Sequence, residues 1–500
     1  MASDETPGPG GWGLPGTDLG QLKRQAKQWL QRGRLGDAEA LGFLAQLHPR
    51  GAELAQDPSR LKLADAQLAL ARAYGFASWP RLRAHVGAVE PWRRHPHRVG
   101  PRTDAATELL RLACLTYGAD DRDRPLRAAA MLAEDPRLAG ANLSTAAATG
   151  SVAAVRRFLG EDPAAAAAEG GPHRWSALLY LCFSRIPDQP PERSALECAR
   201  LLLAAGADPN AGFLWQGLAP PFTGLTGAFG GGEDRVNQPP HQHALALARL
   251  LLDAGADPND AQTLYNRMFE AGDDHLSLLF AYGLGDGDGG PWRRRLGPVQ
   301  QTPGQMCVDQ LIWAVQAGRR ERVALLLEHG VDPDGPGSGH PTHQGRTAYE
   351  WAPRDGSTEL AALLQAAGAR PPARQLDTVE LFVAAALSGD AGAVRRSAPA
   401  VRAAAVAARP GAVEQAVELR RPGAVRVLVE AGFSVHGDGG TTPLHQAAYT
   451  GDLELARLLV SLGADPGRED PNYHSTPVGW AEHAHHDQVA AYLRSVSSAE

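Results

Sequence analysis

The chain has 500 residues, of which 43% are hydrophobic and only 6% aromatic, and its formal net charge at pH 7 is −7. That length is enough for two to four domains or for one long repeat array, and the scarcity of aromatic residues argues against an all-β sandwich or barrel. No lysine follows Lys62, which excludes a phosphate-binding loop or a Schiff-base lysine from the rest of the chain.

Residues 1–17 are rich in glycine and proline, which predicts a disordered tail. They lack the basic region and apolar run of a signal peptide, and no apolar stretch of the chain is long enough to span a membrane. The cysteines are too few and too scattered for a disulfide framework or a thiolate metal site: Cys114, Cys182, Cys198 and Cys307. We therefore expect a cytoplasmic protein that does not bind membranes.

Residues 18–103 are basic, with 15 lysines and arginines against 7 aspartates and glutamates. The residue pattern predicts four helices in this segment. An apolar stripe marks the first helix: Leu22, Ala26, Trp29 and Leu30. Asp37 is placed to begin the second helix, the third covers 61–74, and Ser78 is placed to cap the fourth. The charge asymmetry favours a helical N-terminal module that differs from the acidic remainder.

Beyond residue 103, one pattern recurs along the chain. The sequence LLLAAGADPN at 201–210 returns as LLLDAGADPN at 250–259 and as LLLEHGVDPD at 325–334. Weaker copies end at three glycines that lie 64 and 31 residues apart: Gly368, Gly432 and Gly463. These spacings are close to two periods and one period of a unit of about 33 residues, and they predict about 10–11 degenerate units over 104–500.

One unit shows the structural logic of the pattern. Thr442 is suited to cap a short helix that has Pro443 in its first turn, and Gly451 is suited to end that helix. A second helix with leucines on one face then ends at Gly463. A helix pair this short cannot bury its own apolar face, so the pattern predicts a stacked array.

The motif Thr442-Pro-Leu-His-Gln-Ala-Ala448, followed by Gly451-Asp452 and Gly463-Ala-Asp465, resembles the ankyrin repeat. The resemblance implies an all-α solenoid with short hairpin loops that binds a partner protein on its concave face. Residues 63–82 also resemble the helical N-terminal segment of bacterial ankyrin-repeat proteins from GC-rich genomes. Residues 18–103 are therefore expected to form a small cap module in front of the array.

Two long segments interrupt the repeat phase, 211–243 and 283–305, and both are interpreted as ordered insertions or loops. The second contains Asp286 and Asp288, but the calcium-loop pattern fails at its third ligand position, and a flexible loop is the preferred interpretation. No dinucleotide fingerprint is formed there, because no strand precedes the glycines.

His483 and His486 are one helical turn apart, a spacing at which two histidines can bind one metal ion. The repeat phase favours a structural interpretation, in which His485 replaces the glycine between two helices and His486 follows it. His445 lies within the repeat motif, and the resemblance implies that it hydrogen-bonds neighbouring turns. We predict no metal site, although the histidine-rich C-terminal unit leaves that question open.

No nucleophile, metalloprotease or thiol-redox motif occurs in the chain, so neither an enzyme nor a cofactor is expected. Two alternatives to a protein-binding scaffold stay open. The basic segment 18–102, with its dense run at 92–98, could bind nucleic acid while the repeats act as an adaptor. The insertions 211–243 and 283–305 could converge in one catalytic cleft.

The resemblance also implies which positions contact a partner. In the repeat, the position before the threonine of the motif and the two positions before the glycine that ends the first helix point into the concave groove, whereas a tyrosine at a hairpin tip is a favoured anchor. The predicted partner-binding residues are Tyr449, Thr450, Thr441, Tyr473, Ser475, Arg346 and Gln316.

Overall fold

The computed structural model describes residues 19–118, 120–186, 193–372 and 374–497. The described residues are mostly helical, with 61% helix and 3% strand, as the sequence predicts. The chain divides into two compact units with a boundary between Pro303 and Gly304.

The first unit holds sixteen of the described helices. They are α1 (Leu19–Arg34), α2 (Ala38–Leu47), α3 (Gly51–Gln56), α4 (Leu63–Ala73), α5 (Trp79–Val89), α6 (Ala105–Ala113), α7 (Asp123–Glu134), α8 (Leu143–Ala148), α9 (Val152–Glu161), α10 (Ala177–Phe183), α11 (Ala195–Ala204), α12 (Gly224–Phe229), α13 (Ala244–Asp253), α14 (Ala261–Met268), α15 (Asp274–Ala281) and α16 (Gly290–Leu296).

The described strands all lie in this unit and are short. They are β1 (Arg93–Arg94), β2 (Glu169–Gly170), β3 (Trp175–Ser176), β4 (Gly212–Trp215) and β5 (Phe222–Thr223). Strand β4 is central in a three-stranded sheet, where it pairs in parallel with β1 and antiparallel with β5. Strands β2 and β3 form an antiparallel pair.

The remaining helices are α17 (Pro303–Gln316), α18 (Arg320–Glu328), α19 (Ala348–Arg354), α20 (Thr358–Ala366), α21 (Thr378–Leu387), α22 (Ala391–Arg396), α23 (Pro399–Ala408), α24 (Ala412–Glu418), α25 (Pro422–Glu430), α26 (Pro443–Tyr449), α27 (Leu453–Ser461), α28 (Pro477–His483) and α29 (Asp487–Ser497). Short 3-10 turns cover Pro58–Arg60, Glu90–Trp92, Pro96–Arg98, Pro136–Gly140, Pro163–Ala167, Gly297–Val299 and Pro341–His343.

The predicted N-terminal helices are present, with α3 in addition. The Asp37 carboxylate accepts the Ala40 N–H at 2.9 Å and caps α2, and the Ser78 hydroxyl caps α5 through the Arg81 N–H. Helices α1 and α5 both pack against α4. Their shared apolar cluster is fully or nearly buried: Leu22, Ala26, Leu70, Ala71, Tyr74, Leu82 and Val86.

Short helix pairs stack in chain order in the first unit. The first helices of successive pairs, α6, α8, α10, α12 and α14, each contact the next, and α9, α11, α13 and α15 do the same on the other side. The interruption at 211–243 contains one of these first helices, α12, and is largely buried. Its sequence Thr223-Gly-Leu-Thr226 takes the place of the repeat motif, so the pair was not evident from the residues.

Helix pairs also stack in the second unit. Helices α24, α26 and α28 contact one another in turn, as do α25, α27 and α29. One apolar cluster runs from Phe382 to Leu493 through these pairs. An extra helix, α23, follows α22 and packs on α21, which departs from a regular helix pair.

A buried carboxylate holds this irregular region together. Asp355 has no solvent exposure, and its Oδ1 accepts the Arg409 guanidinium at 2.7 Å. Arg421 donates to the main-chain carbonyls of Asp355 at 2.7 Å and Leu387 at 3.0 Å. It also donates to the Ser357 hydroxyl at 2.6 Å. Two arginines thus connect the end of α19 to segments more than fifty residues further along the chain.

Removing the buried carboxylate of Asp355 is expected to destabilise the fold much more than removing an exposed carboxylate. Asp355→Ala is expected to lower the free energy of unfolding by about 3 kcal/mol, because it leaves the half-buried Arg409 without its carboxylate. Glu454→Ala breaks the exposed pair with Arg457 and is expected to cost less than about 1 kcal/mol. Urea unfolding of both variants measures the difference, and equal losses would contradict the role of Asp355.

Left-handed residues end the helices of the C-terminal pairs, as predicted. Gly451 has φ 71° and Gly463 has φ 96°, while His485 takes the glycine position with φ 58°. A Cβ added at Gly463 would meet no atom within 4 Å, whereas at Gly451 it would lie 2.7 Å from the His486 ring.

These surroundings predict unequal effects of the same substitution. Gly463→Ala is expected to lower the free energy of unfolding by about 1 kcal/mol through backbone strain alone. Gly451→Ala is expected to cost more, because the imidazole of His486 must also move. Chemical denaturation of the two variants measures the costs. An unchanged unfolding curve for Gly463→Ala would contradict the strain at that position.

Candidate partner-binding surface

The hairpins before α26 and α28 are joined by a buried histidine. The Thr442 hydroxyl caps α26, and the His445 Nδ1 lies 2.8 Å from that hydroxyl oxygen. The other ring nitrogen, Nε2, donates to the Ser475 carbonyl at 3.0 Å. Burial lowers the pKa of His445 from its ordinary value, which favours the neutral ring. The expectation that His445 bridges neighbouring turns is confirmed.

A buried carboxylate shapes the last of these hairpins. Asp470 has no exposed surface and accepts the backbone N–H groups of Asn472, Tyr473 and Ser475 at 2.8–3.2 Å. The indole Nε1 of Trp480 donates to its Oδ2 at 3.0 Å. Burial alone would raise the pKa of Asp470, but the hydrogen bonds from Trp480 and the backbone outweigh it and lower the pKa to about 2. The carboxylate is therefore charged at neutral pH and fixes both the turn and the indole.

Three aromatic side chains meet at this hairpin, and we call Tyr449, Tyr473 and Trp480 the aromatic cluster. The ring centroids of Tyr449 and Tyr473 lie 5.9 and 6.0 Å from that of Trp480, both in edge-to-face geometry. Tyr473 is 75% exposed, while Tyr449 and Trp480 are half-buried. The cluster thus presents a broad apolar surface, with tyrosine hydroxyl groups, on a hydrogen-bonded base.

The other predicted residues of this region have mixed surroundings. Ser475 is half-buried and lies in the Asp470 turn beside Trp480. The Thr450 hydroxyl donates to the Gln446 carbonyl at 2.9 Å, so it is already used inside its own turn. Thr441 is half-buried and directly precedes the capping residue of α26.

Arg346 lies in the segment just before α19, and Gln316 is the last residue of α17. The Arg346 guanidinium is 5.3 Å from the centroid of the Trp351 ring and donates to the Gln344 side chain at 2.6 Å. The Gln316 amide donates to the Thr342 carbonyl at 3.0 Å. Both side chains are therefore engaged with neighbouring turns, and their role in partner binding stays a prediction.

Trp480 and Asp470 belong to this surface but were not predicted from the sequence. Trp480 follows the capping residue of its helix by four positions, as Gln446 does in the preceding unit, so an alignment of the two units would have placed it beside Tyr449. No comparable signal marks Asp470, because its role depends on a turn that lies outside the repeat motif.

The histidine and aspartate candidates show no metal geometry. Among the described residues, no group of three or more His, Cys, Asp or Glu side chains is arranged to hold a metal ion. Asp288 instead accepts the Gly290 N–H at 2.9 Å and pairs with Arg294 at 2.8 Å. The Asp286 carbonyl accepts the Asn259 amide at 3.0 Å.

The two interruptions converge on one cleft of the first unit, and Thr223 and Trp292 lie on its wall. Its volume of about 20 Å³ has room for roughly one water molecule. Asp260 caps α14 and accepts the Thr223 hydroxyl, and burial raises its pKa to about 6. These polar groups are engaged in capping two helices.

Over the described ranges of the chain, no helix combines the length and the apolar character needed to cross a lipid bilayer.

Residues 411–498, which contain α24–α29, match the protein family described as Ankyrin repeats (3 copies). ARF GTPase-activating protein GIT1 of Homo sapiens is 42% identical over 85 residues, which are 17% of this chain and 10% of that protein. ARF GTPase-activating protein GIT2 of Mus musculus is 38% identical over 85 residues, 17% of this chain and 11% of that protein. The chain thus spans about a tenth of these relatives. The C-terminal segment consists of ankyrin repeats, which confirms the resemblance there.

The lowered pKa of Asp470 predicts a pH-dependent contribution to stability. Since its folded-state pKa is near 2 and its ordinary value is 3.8, the carboxylate stabilises the fold above about pH 4, and this contribution is lost as the pH falls towards 2. Asp470→Asn is therefore expected to be less stable than the wild type at neutral pH, and the difference should narrow below about pH 4.

Urea unfolding over that pH range measures the difference between the two proteins. The matched control is Glu469→Gln, because Glu469 is the exposed neighbouring acid. The difference in stability between Glu469→Gln and the wild type should not narrow below about pH 4. A constant difference between Asp470→Asn and the wild type at all pH values would contradict the assignment.

Proposed function

We propose that residues 104–500 form one ankyrin-repeat array that binds a partner protein on its concave face, with the N-terminal helices as a cap module. The protein then acts as a non-enzymatic scaffold. The ankyrin repeats at 411–498 support this proposal, as do the stacked helix pairs that precede them in the chain. Ankyrin repeats generally mediate contacts between proteins.

The aromatic cluster carries the proposal. Tyr473 is largely exposed, and Trp480 is held by a buried charged carboxylate. Aromatic side chains dominate the binding energy of protein interfaces, and tyrosine presents a large surface while losing little conformational entropy. Because Asp470 fixes the turn before any partner arrives, little further ordering is needed on binding.

The similarity to the ARF GTPase-activating proteins supports only the presence of ankyrin repeats, because this chain spans about a tenth of those proteins. A bacterial cytoplasmic location is proposed from the sequence resemblance and from the cysteines. All four cysteines are buried and none of them forms a disulfide bond, which suits a reducing compartment.

The double variant Tyr449→Ala, Tyr473→Ala tests the binding surface. The full-length wild type and the variant are used for affinity capture, and the main partner is then identified, purified and titrated. The variant is expected to fold normally and to bind the partner at least about tenfold more weakly, which corresponds to ~1.4 kcal/mol.

The matched control is Tyr492→Ala, which removes a half-buried tyrosine from α29, the second helix of the last pair. This variant should keep the wild-type affinity. If the folded double variant keeps full affinity, the proposed surface is wrong. The segments 211–243 and 283–305 would then be the next candidates for the binding surface.

A further inference from the structure

The charge balance of helices α1–α5 differs from that of the rest of the chain. Between residues 18 and 103 the excess of basic over acidic residues is eight. The described acidic side chains of these helices are engaged by nearby groups. Arg32 pairs with Asp37 and Glu39, and Glu53 lies 3.5 Å from Arg60.

The other described acids of this segment also have hydrogen-bonding or ionic partners. Asp65 lies 3.4 Å from the His48 ring, Glu90 lies 3.1 Å from Arg93, and Asp57 accepts the Ser59 hydroxyl at 2.6 Å. Within the described part of the chain, none of these acids pairs with Lys23, Arg24 or Lys27 of α1.

Helix α1 carries this charge on its solvent face. Its sequence LGQLKRQAKQWLQRGR contains no acidic residue. Lys23, Arg24 and Lys27 are exposed, and none of them forms an ion pair within the described part of the chain. Leu22 and Ala26 on the opposite side are fully buried, which fixes the orientation of the helix. Lys23 and Lys27 are about 6 Å apart along the helix axis, one turn apart on the same side.

Helix α5 adds two further cations. Arg81 and Arg83 are exposed, and neither forms an ion pair in the described residues. Leu82 between them is fully buried in the apolar cluster that α5 shares with α1. The same packing that holds the two helices therefore turns their cations outward.

We propose that the exposed cations of α1 and α5 bind the phosphodiester backbone of a nucleic acid. Neutralising a row of phosphates with lysines and arginines releases condensed counterions, and this release drives binding that does not depend on sequence. The unpaired cations supply the positive partners, and the amides of Gln28 and Gln31, which are exposed on α1, supply hydrogen-bond donors and acceptors for the phosphates or base edges.

A lipid surface fits these observations less well. A helix that lies in a membrane interface inserts its apolar face, but the apolar face of α1 is occupied by the protein core. An acidic protein partner would satisfy the charges without using the exposed glutamine amides. Vesicles and polyglutamate are therefore the competing ligands in the test.

The test uses the full-length protein and fluorescently labelled DNA and RNA duplexes of about 20 base pairs, which exceed the ~24 Å length of α1. Fluorescence anisotropy is measured over a range of salt concentrations. The wild type is expected to bind at low salt, with an affinity that falls linearly with salt concentration on a double-logarithmic plot. Similar affinity for both duplexes would indicate recognition of phosphates, whereas a preference for RNA would indicate contacts to its 2′-hydroxyl groups.

The variant Lys23→Gln, Arg24→Gln, Lys27→Gln is expected to reduce the magnitude of this slope by about 2.7, because each phosphate contact contributes about 0.9. Arg81→Gln, Arg83→Gln should reduce it by up to about 1.8. The matched control is Arg395→Gln, Arg396→Gln, which neutralises two exposed arginines at the end of α22. Circular dichroism verifies that each variant is folded.

The proposal is overturned if the wild type shows no salt-dependent binding to either duplex, or if the folded triple variant keeps the wild-type slope. It is also overturned if vesicles containing phosphatidylserine or polyglutamate compete as well as unlabelled duplex at equal charge concentration. A loss in the control variant equal to that in the triple variant would show general charge attraction instead of a site on α1.

Discussion

The main constraint on this fold is that its helices are too short to bury their own apolar faces. A helix pair such as α26 and α27 has seven and nine residues, so each pair must pack against the next one to exclude water. The buried residues Leu444, Ala447, Leu455 and Leu459 therefore belong to a continuous apolar cluster that extends through several pairs. Hydrogen bonds between neighbouring turns, such as the one from His445 to the Ser475 carbonyl, hold these apolar faces together.

The turns use different chemistry in regular and irregular regions. Where the ankyrin pattern is clear, Thr442 and His445 connect one hairpin to the next through neutral hydrogen bonds. Where the pattern is weak, Arg409 and Arg421 converge on Asp355 instead. Arg409 directly follows the extra helix α23, and its long side chain reaches the end of α19. One ion pair and several arginine-to-carbonyl hydrogen bonds thus add to local capping in this region, where Thr347 and Asp377 still cap α19 and α21.

The sequence predicted the features that are local in the chain and missed those that depend on distant segments. Caps such as Asp37 and Thr442 and the left-handed His485 could be predicted, because each rests on neighbouring residues. Helix α12 was missed, since glycine and threonine replace the motif there and its identity depends on packing against α10 and α14. At the candidate site, Tyr449 and Tyr473 could be named from the repeat phase, but their convergence on Trp480 depends on the Asp470 turn, which no periodicity marks.

Asp470 links the stability of the last hairpin to the shape of the candidate surface. Its carboxylate accepts three backbone N–H groups and the Trp480 indole, so a change at Asp470 would loosen the turn and the aromatic cluster together. A binding defect in such a variant would not distinguish lost contacts from lost order. The exposed ring of Tyr473 does not carry this ambiguity, because it projects from the turn and is not needed to close it. Truncation of its side chain therefore removes contact area while the backbone hydrogen bonds to Asp470 persist, and any loss of affinity then measures the surface itself.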